Sequence, residues 1–373
     1  MKAIFMITII LFGNALDGFS ESRRVRGKVF DAQSGDPLPF AHVIFENIGV
    51  TTNTDGNFTI NIEVVDVVDV PKLLIKYIGY ESVNFEIINW VENINIGLIP
   101  STETLDEVFV ITAETVVRNL NSHRQINYEF EDLLLSAFYK ESLVVKKQLA
   151  YIAEGVFDIY LPTIYNNDQI EIGLKKTRKK TFVNLDSISM LFVTGHARDM
   201  INGSMRRNHS FLDTKEMKNY QYWKEGVEQY DGEEVYVVGF GPSGKKASAN
   251  GLLYISTSTY ALIRAEYYPI ISRQHFWNKV KWVEEYIEVK STWLLKQVIY
   301  EGAWSVTGNE YNFQAILDVT SFTPVDKKPP ITDVINENAI FFDSADNLDE
   351  NFWRNHNYMS LSEKERLEMS ESD

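Results

Sequence analysis

The stretch that most constrains this chain opens at Val25-Arg26-Gly27-Lys28-Val29-Phe30, crosses Gly35-Asp36-Pro37-Leu38-Pro39-Phe40 and enters Ala41-His42-Val43-Ile44-Phe45. Two alternating apolar segments flank a loop rich in Gly and Pro, and the polar turn Thr54-Asp55-Gly56-Asn57 leads into a third segment at 58–62. Alternation with period two sends every second side chain to one face, and strands this short bury that face only by closing against a second sheet. Extended segments at 73–77, 82–87 and 93–98 complete a small antiparallel β-sandwich. Gly35 and Gly56 suit positive φ, Pro37 and Pro39 suit a loop before an edge strand, and Asp55-Gly56 is a hairpin signal.

Ahead of this region Lys2 precedes an apolar run at 3–12, and small residues follow at Gly13, Ala15, Gly18 and Ser20. This is the layout of a secretory signal peptide over 1–20, with cleavage after Ala15 or Ser20. A run of about ten residues is half of what a membrane-spanning helix needs, and no later segment is long and apolar enough. The chain has no cysteine, which removes disulfides, thiolate metal sites, cysteine nucleophiles and lipid attachment at an N-terminal Cys. A net charge of -16 argues against nucleic acid as a partner. The expectation is an exported protein of the periplasm or outer-membrane periphery, not lipid-anchored. One local exception to the acidity runs from Lys175 to Lys180, with Arg206-Arg207 downstream. A solvated strand end or hairpin tip accounts for it, and an anion or lipid-headgroup contact is the other reading.

With 373 residues, two domains follow: a sandwich over 21–100, a linker over 101–111 with an extended segment at 105–111, and an antiparallel-sheet domain with helices over 112–323. A polar tail over 324–373 carries a short helix at 362–369 that packs weakly or not at all. Apolar residues at Val116, Val117, Leu120, Ile126, Phe130, Leu133, Leu134 and Ala137 predict one or two helices over 113–137, broken near Asn127, and 200–222 contributes another. Segments at 149–160, 234–240, 251–255, 261–268, 280–289, 293–300 and 311–319, joined by short turns, predict an antiparallel meander. The fold class is mainly β: a seven-stranded-type sandwich, then an α+β domain built on a curved antiparallel sheet.

The first domain resembles the carboxypeptidase-like regulatory domain, a transthyretin-like sandwich found in envelope proteins of Bacteroidota. The residues that carry the resemblance are Gly27, Gly35, Pro37, Pro39, Ala41, Asp55, Gly56, Phe58, Gly79 and Tyr80, within their local motifs. Asn127-Tyr128 and Ala137-Phe-Tyr-Lys-Glu141 are similar to the segment that follows this domain in such proteins. Leu105-Asp-Glu-Val-Phe-Val110 resembles a short hydrophobic stretch of TonB-dependent receptors, but the rest of the chain is too short for their 22-stranded barrel. Gly251-Leu-Leu-Tyr-Ile255 leading into Tyr260-Ala-Leu-Ile-Arg264 looks like a hairpin of the lipoprotein-carrier fold, which implies a curved sheet around helices with an apolar cavity.

Little in the sequence points to catalysis. Gly239-Phe-Gly-Pro-Ser-Gly244-Lys245-Lys246 nearly completes a phosphate-binding loop, yet Lys246 stands where the magnesium-binding hydroxyl belongs and no helix follows, so a turn is the better reading. No two of the six histidines share a metal-binding helical spacing. His196, Asp199 and His209 form the one cluster with mixed acid and base chemistry, the basis of an alternative envelope hydrolase. Glu284 and Glu285 occupy successive strand positions and face opposite sides. The aromatic residues of the second domain pair across strands or line an apolar or glycan-stacking cavity. No cofactor or metal is called for. The reading is a non-enzymatic envelope protein whose sandwich docks to a partner and whose sheet domain binds lipid, an acyl chain or a partner segment. The rival interaction module would use exposed sheet edges for β-augmentation among outer-membrane protein assemblies.

Overall fold

The computed structural model describes residues 21–64, 70–88, 93–101, 111–128, 130–163, 169–183, 197–206, 211–271, 277–306, 308–335, 341–345 and 356–370. The leader-like segment and the stretch at 105–110 lie outside these residues, as do His196 and His209.

The sandwich forms as the alternation dictates. β1 (Glu21–Asp31) pairs antiparallel with β4 (Asn57–Val64), at Val25↔Ile60, and parallel with β7 (Ile94–Leu98), at Val29↔Ile96. β2 (His42–Phe45), β3 (Ile48–Thr51), β5 (Lys72–Lys76) and β6 (Val83–Glu86) make the second sheet in the order β3-β2-β5-β6. Val25, Val29, Val43, Ile60, Leu73 and Ile75 are fully buried between the two. Such burial is the main favourable term, at roughly 1.5–3 kcal/mol for each large apolar side chain.

Three local expectations are corrected, the first being that the sandwich is not wholly antiparallel, since β1 and β7 run parallel. The Asp55-Gly56 turn does not close a hairpin, because the strand after it pairs with β1 and the turn hands the chain from one sheet to the other. Asn53 organises it by accepting at Oδ1 from the Asp55 and Asn57 amides, at 3.0 and 2.9 Å. Gly56 is required there, since φ is 76° and a Cβ would lie 2.4 Å from the Val29 carbonyl oxygen. β3 was not anticipated; it has only four residues, one of them Gly49.

The rest of the chain curls ten strands, among the described residues, into an antiparallel half-barrel. β11 (Tyr220–Tyr230), β12 (Glu233–Pro242), β13 (Ala249–Ser256), β14 (Leu262–Pro269), β15 (Trp277–Val289), β16 (Thr292–Val306) and β17 (Asn309–Pro324) form the meander. β17 then pairs with β8 (Leu133–Val145), and β9 (Gln148–Leu161) and β10 (Glu171–Thr181) continue the sheet. The β8–β9 and β15–β16 turns place Lys146-Lys147 and Lys290-Ser291 at positive φ, as two-residue hairpin turns that follow the strand twist require.

Helices cover one face of this sheet and the sandwich docks on the other. α1 (Ala113–Tyr128) is capped by Thr112, whose hydroxyl accepts from the Thr115 amide at 3.2 Å. It ends where Asn127 donates to Thr259 O and Tyr128 bonds the backbone of Leu262, fixing it to the β13–β14 turn. The helix expected over 113–137 therefore stops at Tyr128, and Leu133 onward is strand; the apolar spacing there fits either period, and pairing with β17 decides it. α2 (Ala197–Arg206) is broken at Gly203, with φ 51° and ψ 175°. The helix expected over 200–222 is not continued from Phe211 on, where turns and a short 3₁₀ turn at Met217–Asn219 give way to β11.

The tail is not loose. α3 (Phe341–Ser344) seats Phe341 against Tyr139 and Phe157, and α4 (Glu363–Ser370) brings Glu365 to Lys140 at 2.5 Å. Asn357 and Leu361 bond to Asn61 and Asn53 of the sandwich, and Met359 is buried on the sheet. A polar sequence hid these contacts because hydrogen bonds and ion pairs, Lys140–Glu365 and Lys328–Glu171, supplement the few apolar anchors Phe341 and Met359.

Candidate functional site

The registers of β15, β16 and β17 contain the feature that makes a site. β16 pairs with β15 along its length, from Thr292↔Val289 to Trp304↔Trp277, but with β17 only from Gln297↔Asp318 onward. Residues 292–296 and 319–324 therefore splay apart, while β17 keeps its pairing with β8. The β2–β3 hairpin reaches into the split, with Ser321 bridged to Ile48.

A cavity of about 1100 Å³ opens there, walled by Ile44, Ile48 and Leu74 on the sandwich side and by Leu294, Val319 and Phe322 on the sheet side. Phe130, Leu133 and Ile287 extend the apolar lining, while Glu46, Glu131, Glu288 and Lys290 also reach it. By contrast, the space left between helices and sheet, beside Tyr128, Ile201 and Trp293, is about 20 Å³. Among the described residues α1 and α2 thus leave little room beside Tyr128, Ile201 and Trp293, and the larger cavity lies at the junction instead.

Buried charges hold the junction. Lys296 has no exposed side-chain surface; its Nζ donates to Asp318 Oδ1 at 2.5 Å, Val319 O at 2.6 Å and Gly49 O at 3.4 Å. Asp318 Oδ2 accepts from Thr51 Oγ1 at 3.2 Å, and Gln297 Nε2 donates to the same hydroxyl at 2.9 Å. On the same face His42 Nε2 lies 2.7 Å from Glu285 Oε2, and Arg264 meets Glu285 Oε1 at 2.5 Å. Burial pushes the Glu285 carboxyl up, but Arg264 and His42 outweigh it and hold it below the usual range. Sandwich and sheet are thereby keyed by paired charges whose desolvation would be costly without their partners.

The opposite face carries two buried carboxyls. Glu284 accepts from Tyr267 OH at 2.7 Å, Tyr286 OH at 3.0 Å and the Ser204 amide at 2.6 Å, so the break at Gly203 serves to aim that amide. Glu284 and Glu285 do face opposite sides. Glu141 accepts from Tyr139 OH at 2.8 Å and Tyr151 OH at 3.3 Å, and burial pushes its carboxyl up to about 8.

The residues singled out in the sequence are scattered. Gly27, Gly35, Pro37, Pro39, Ala41, Asp55, Gly56 and Phe58 lie in the sandwich, where a Cβ on Gly27 would come within 2.6 Å of Ile94. Gly79 donates its amide to Gln229 O of the curled sheet, and Tyr80 OH donates to Asp31 at 2.8 Å. Asp199 is exposed. The basic run is strand β10, where Lys175 pairs with Asp158, Arg178 with Glu154, and Lys179 donates to Phe342 O. The aromatic residues pair across strands, as Tyr267 does with Trp282 and Trp277 with Trp304. Sequence reasoning missed the Lys296–Asp318 key, although Lys296 follows Leu294-Leu295 and Asp318 sits between Ile316-Leu317 and Val319, a signal that each charge seeks a buried partner. Among the described residues no group of three His, Asp or Glu side chains could hold a metal ion, and no helix is long and apolar enough to cross a membrane.

Residues 25–110 match the family model of the CarboxypepD_reg-like domain. No curated protein matches the chain. Among solved structures it is similar to a DUF1329 family protein from Desulfovibrio piger, at 14% identity and TM-score 0.31 over 58% of this chain and 95% of that one. It is also similar to a LolA superfamily protein from Nitrosomonas europaea, at 13% identity and TM-score 0.31 over 58% and 96%. Alignments at this score assign neither a family nor a ligand to the curled sheet.

Proposed function

We propose that this chain is a non-enzymatic binding protein of the bacterial cell envelope, and that the cleft between sandwich and curled sheet holds an apolar ligand such as a lipid or acyl chain. The observation that carries this reading is the 1100 Å³ apolar cleft at the β16–β17 split, a volume at the top of the range for small-molecule sites. The leader-like N-terminus and the CarboxypepD_reg-like domain support placement at the periplasm or outer-membrane periphery. The sandwich would serve as the docking module and also as one wall of the site.

Native mass spectrometry of protein gently extracted from its own envelope, with lipid extraction of the same sample, tests this. A stoichiometric lipid or acylated peptide is expected, with occupancy lost in Ile44→Asp, which puts a charge in the cleft wall. Lipid-free protein carrying a bound envelope protein would overturn the reading in favour of an interaction module that uses the splayed strands.

A further inference from the structure

Arg124 on α1 and Arg206 at the end of α2 are the unusual charges near this cleft. Arg206 Nη1 and Arg124 Nε are buried and have no hydrogen-bond partner, and neither arginine forms an ion pair among the described residues. The chain has 52 acidic side chains against 36 basic ones, so two guanidiniums close enough to feel each other's charge with no carboxylate paired to them among the described residues are not explained by a shortage of acids. Burial first, and then the like charge of Arg124, bring Arg206 down to about 10. Neighbouring half-buried guanidiniums, each with a buried nitrogen left unpaired and no counter-charge among the described residues, give up hydration without Coulombic return, an arrangement that a bound anion would relieve.

Their position gives the anion a second part. The Arg206 guanidinium lies 5.9 Å from the centre of the Phe130 ring. Phe130, Leu294 and Phe322 line both the large cleft and the small void that Arg206 borders. The apolar cleft therefore ends one aromatic side chain short of Arg206, with Arg124 near enough behind it to act on its charge, and rotamer changes of a half-buried side chain such as Phe130 are fast.

We propose that Arg206 and Arg124 receive the anionic head, a carboxylate or phosphate, of an amphiphile whose apolar chain occupies the cleft between sandwich and curled sheet. The assignment rests on the reading of that cleft as the binding site. A guanidinium fork suits either head, since both offer two oxygens to parallel N–H donors. Lys296 is committed to Asp318 and Lys76 to Asp231, which leaves exposed Lys290 at the hairpin tip as the competing cation.

The test uses calorimetric titration of the full chain with laurate, with dodecyltrimethylammonium and with inorganic phosphate, all below micelle formation. Laurate is expected to bind at least about tenfold more tightly than the cation of equal chain length, as charge-assisted hydrogen bonds imply. Arg206→Gln should abolish that preference and Lys290→Gln should keep it; Arg124→Gln serves as the second variant if the first does not fold. Equal binding of both amphiphiles, unaffected by either arginine, overturns the head assignment and leaves the cleft reading intact. Binding of neither overturns both. Inorganic phosphate binding as tightly as laurate would make this a free-anion site and overturn the amphiphile.

Discussion

Asp318→Ala tests whether the sandwich and the curled sheet are keyed by charge. The substitution leaves Lys296 wholly buried, with only the Val319 and Gly49 carbonyls as partners, and takes from Thr51 its carboxylate acceptor. Stranding one partner of a buried pair costs about 3–5 kcal/mol, well above the roughly 1 kcal/mol of an exposed pair. Because the interaction spans β3, β16 and β17, that loss should appear in unfolding of both bodies together. With a urea slope of about 3 kcal/mol/M or somewhat more for a chain of this length, the midpoint should fall by about 1 M. Replacing both partners, as Lys296→Met with Asp318→Leu, removes the desolvation problem and should come back to within about 2 kcal/mol of the parent. A single-variant loss under about 1 kcal/mol, or a double variant equal to the sum of the singles, would refute the reasoning.

Three further outcomes follow from the same geometry. Glu141 has its folded-state carboxyl raised to about 8 by burial, so its contribution is present below the unfolded value near 4.5 and lost as pH rises through 8; Glu141→Gln should flatten that decline in melting temperature between pH 5 and 8. Gly56→Ala forces positive φ on an L residue and a 2.4 Å approach to Val29 O, and should destabilise by about 2 kcal/mol or more in urea titration. Glu365→Ala deprives the nearly buried Lys140 of its partner and should cost about 1–3 kcal/mol, with faster proteolysis of the tail as the second readout.

The sequence revealed the strands better than what lies between them. Alternation marked β1, β2 and β4 because each has one buried face, and short polar turns marked the meander because hairpins need them. Leu133 to Ala137 was misread as helix because its apolar spacing satisfies both periods, and only pairing with β17 separates them. β10 and β11 were hidden behind charge: Lys-Lys-Thr-Arg-Lys-Lys looks solvated until Glu154, Asp158 and the Phe342 carbonyl are brought opposite it. The cleft was illegible for a different reason. It arises where two strands stop pairing and a third from the sandwich intrudes, a register fact to which no single residue points.

One wall of the cleft belongs to the sandwich and the other to the sheet, so filling the cleft and parting the two bodies are linked equilibria. A ligand present at a hundredfold its dissociation constant would add about 2.7 kcal/mol to the work of separation. By the same linkage, a partner that tugged the sandwich away would lower the ligand's affinity by the equivalent factor. Mechanical load on the sandwich would then be a means of discharge, readable as a lower rupture force for empty molecules than for filled ones.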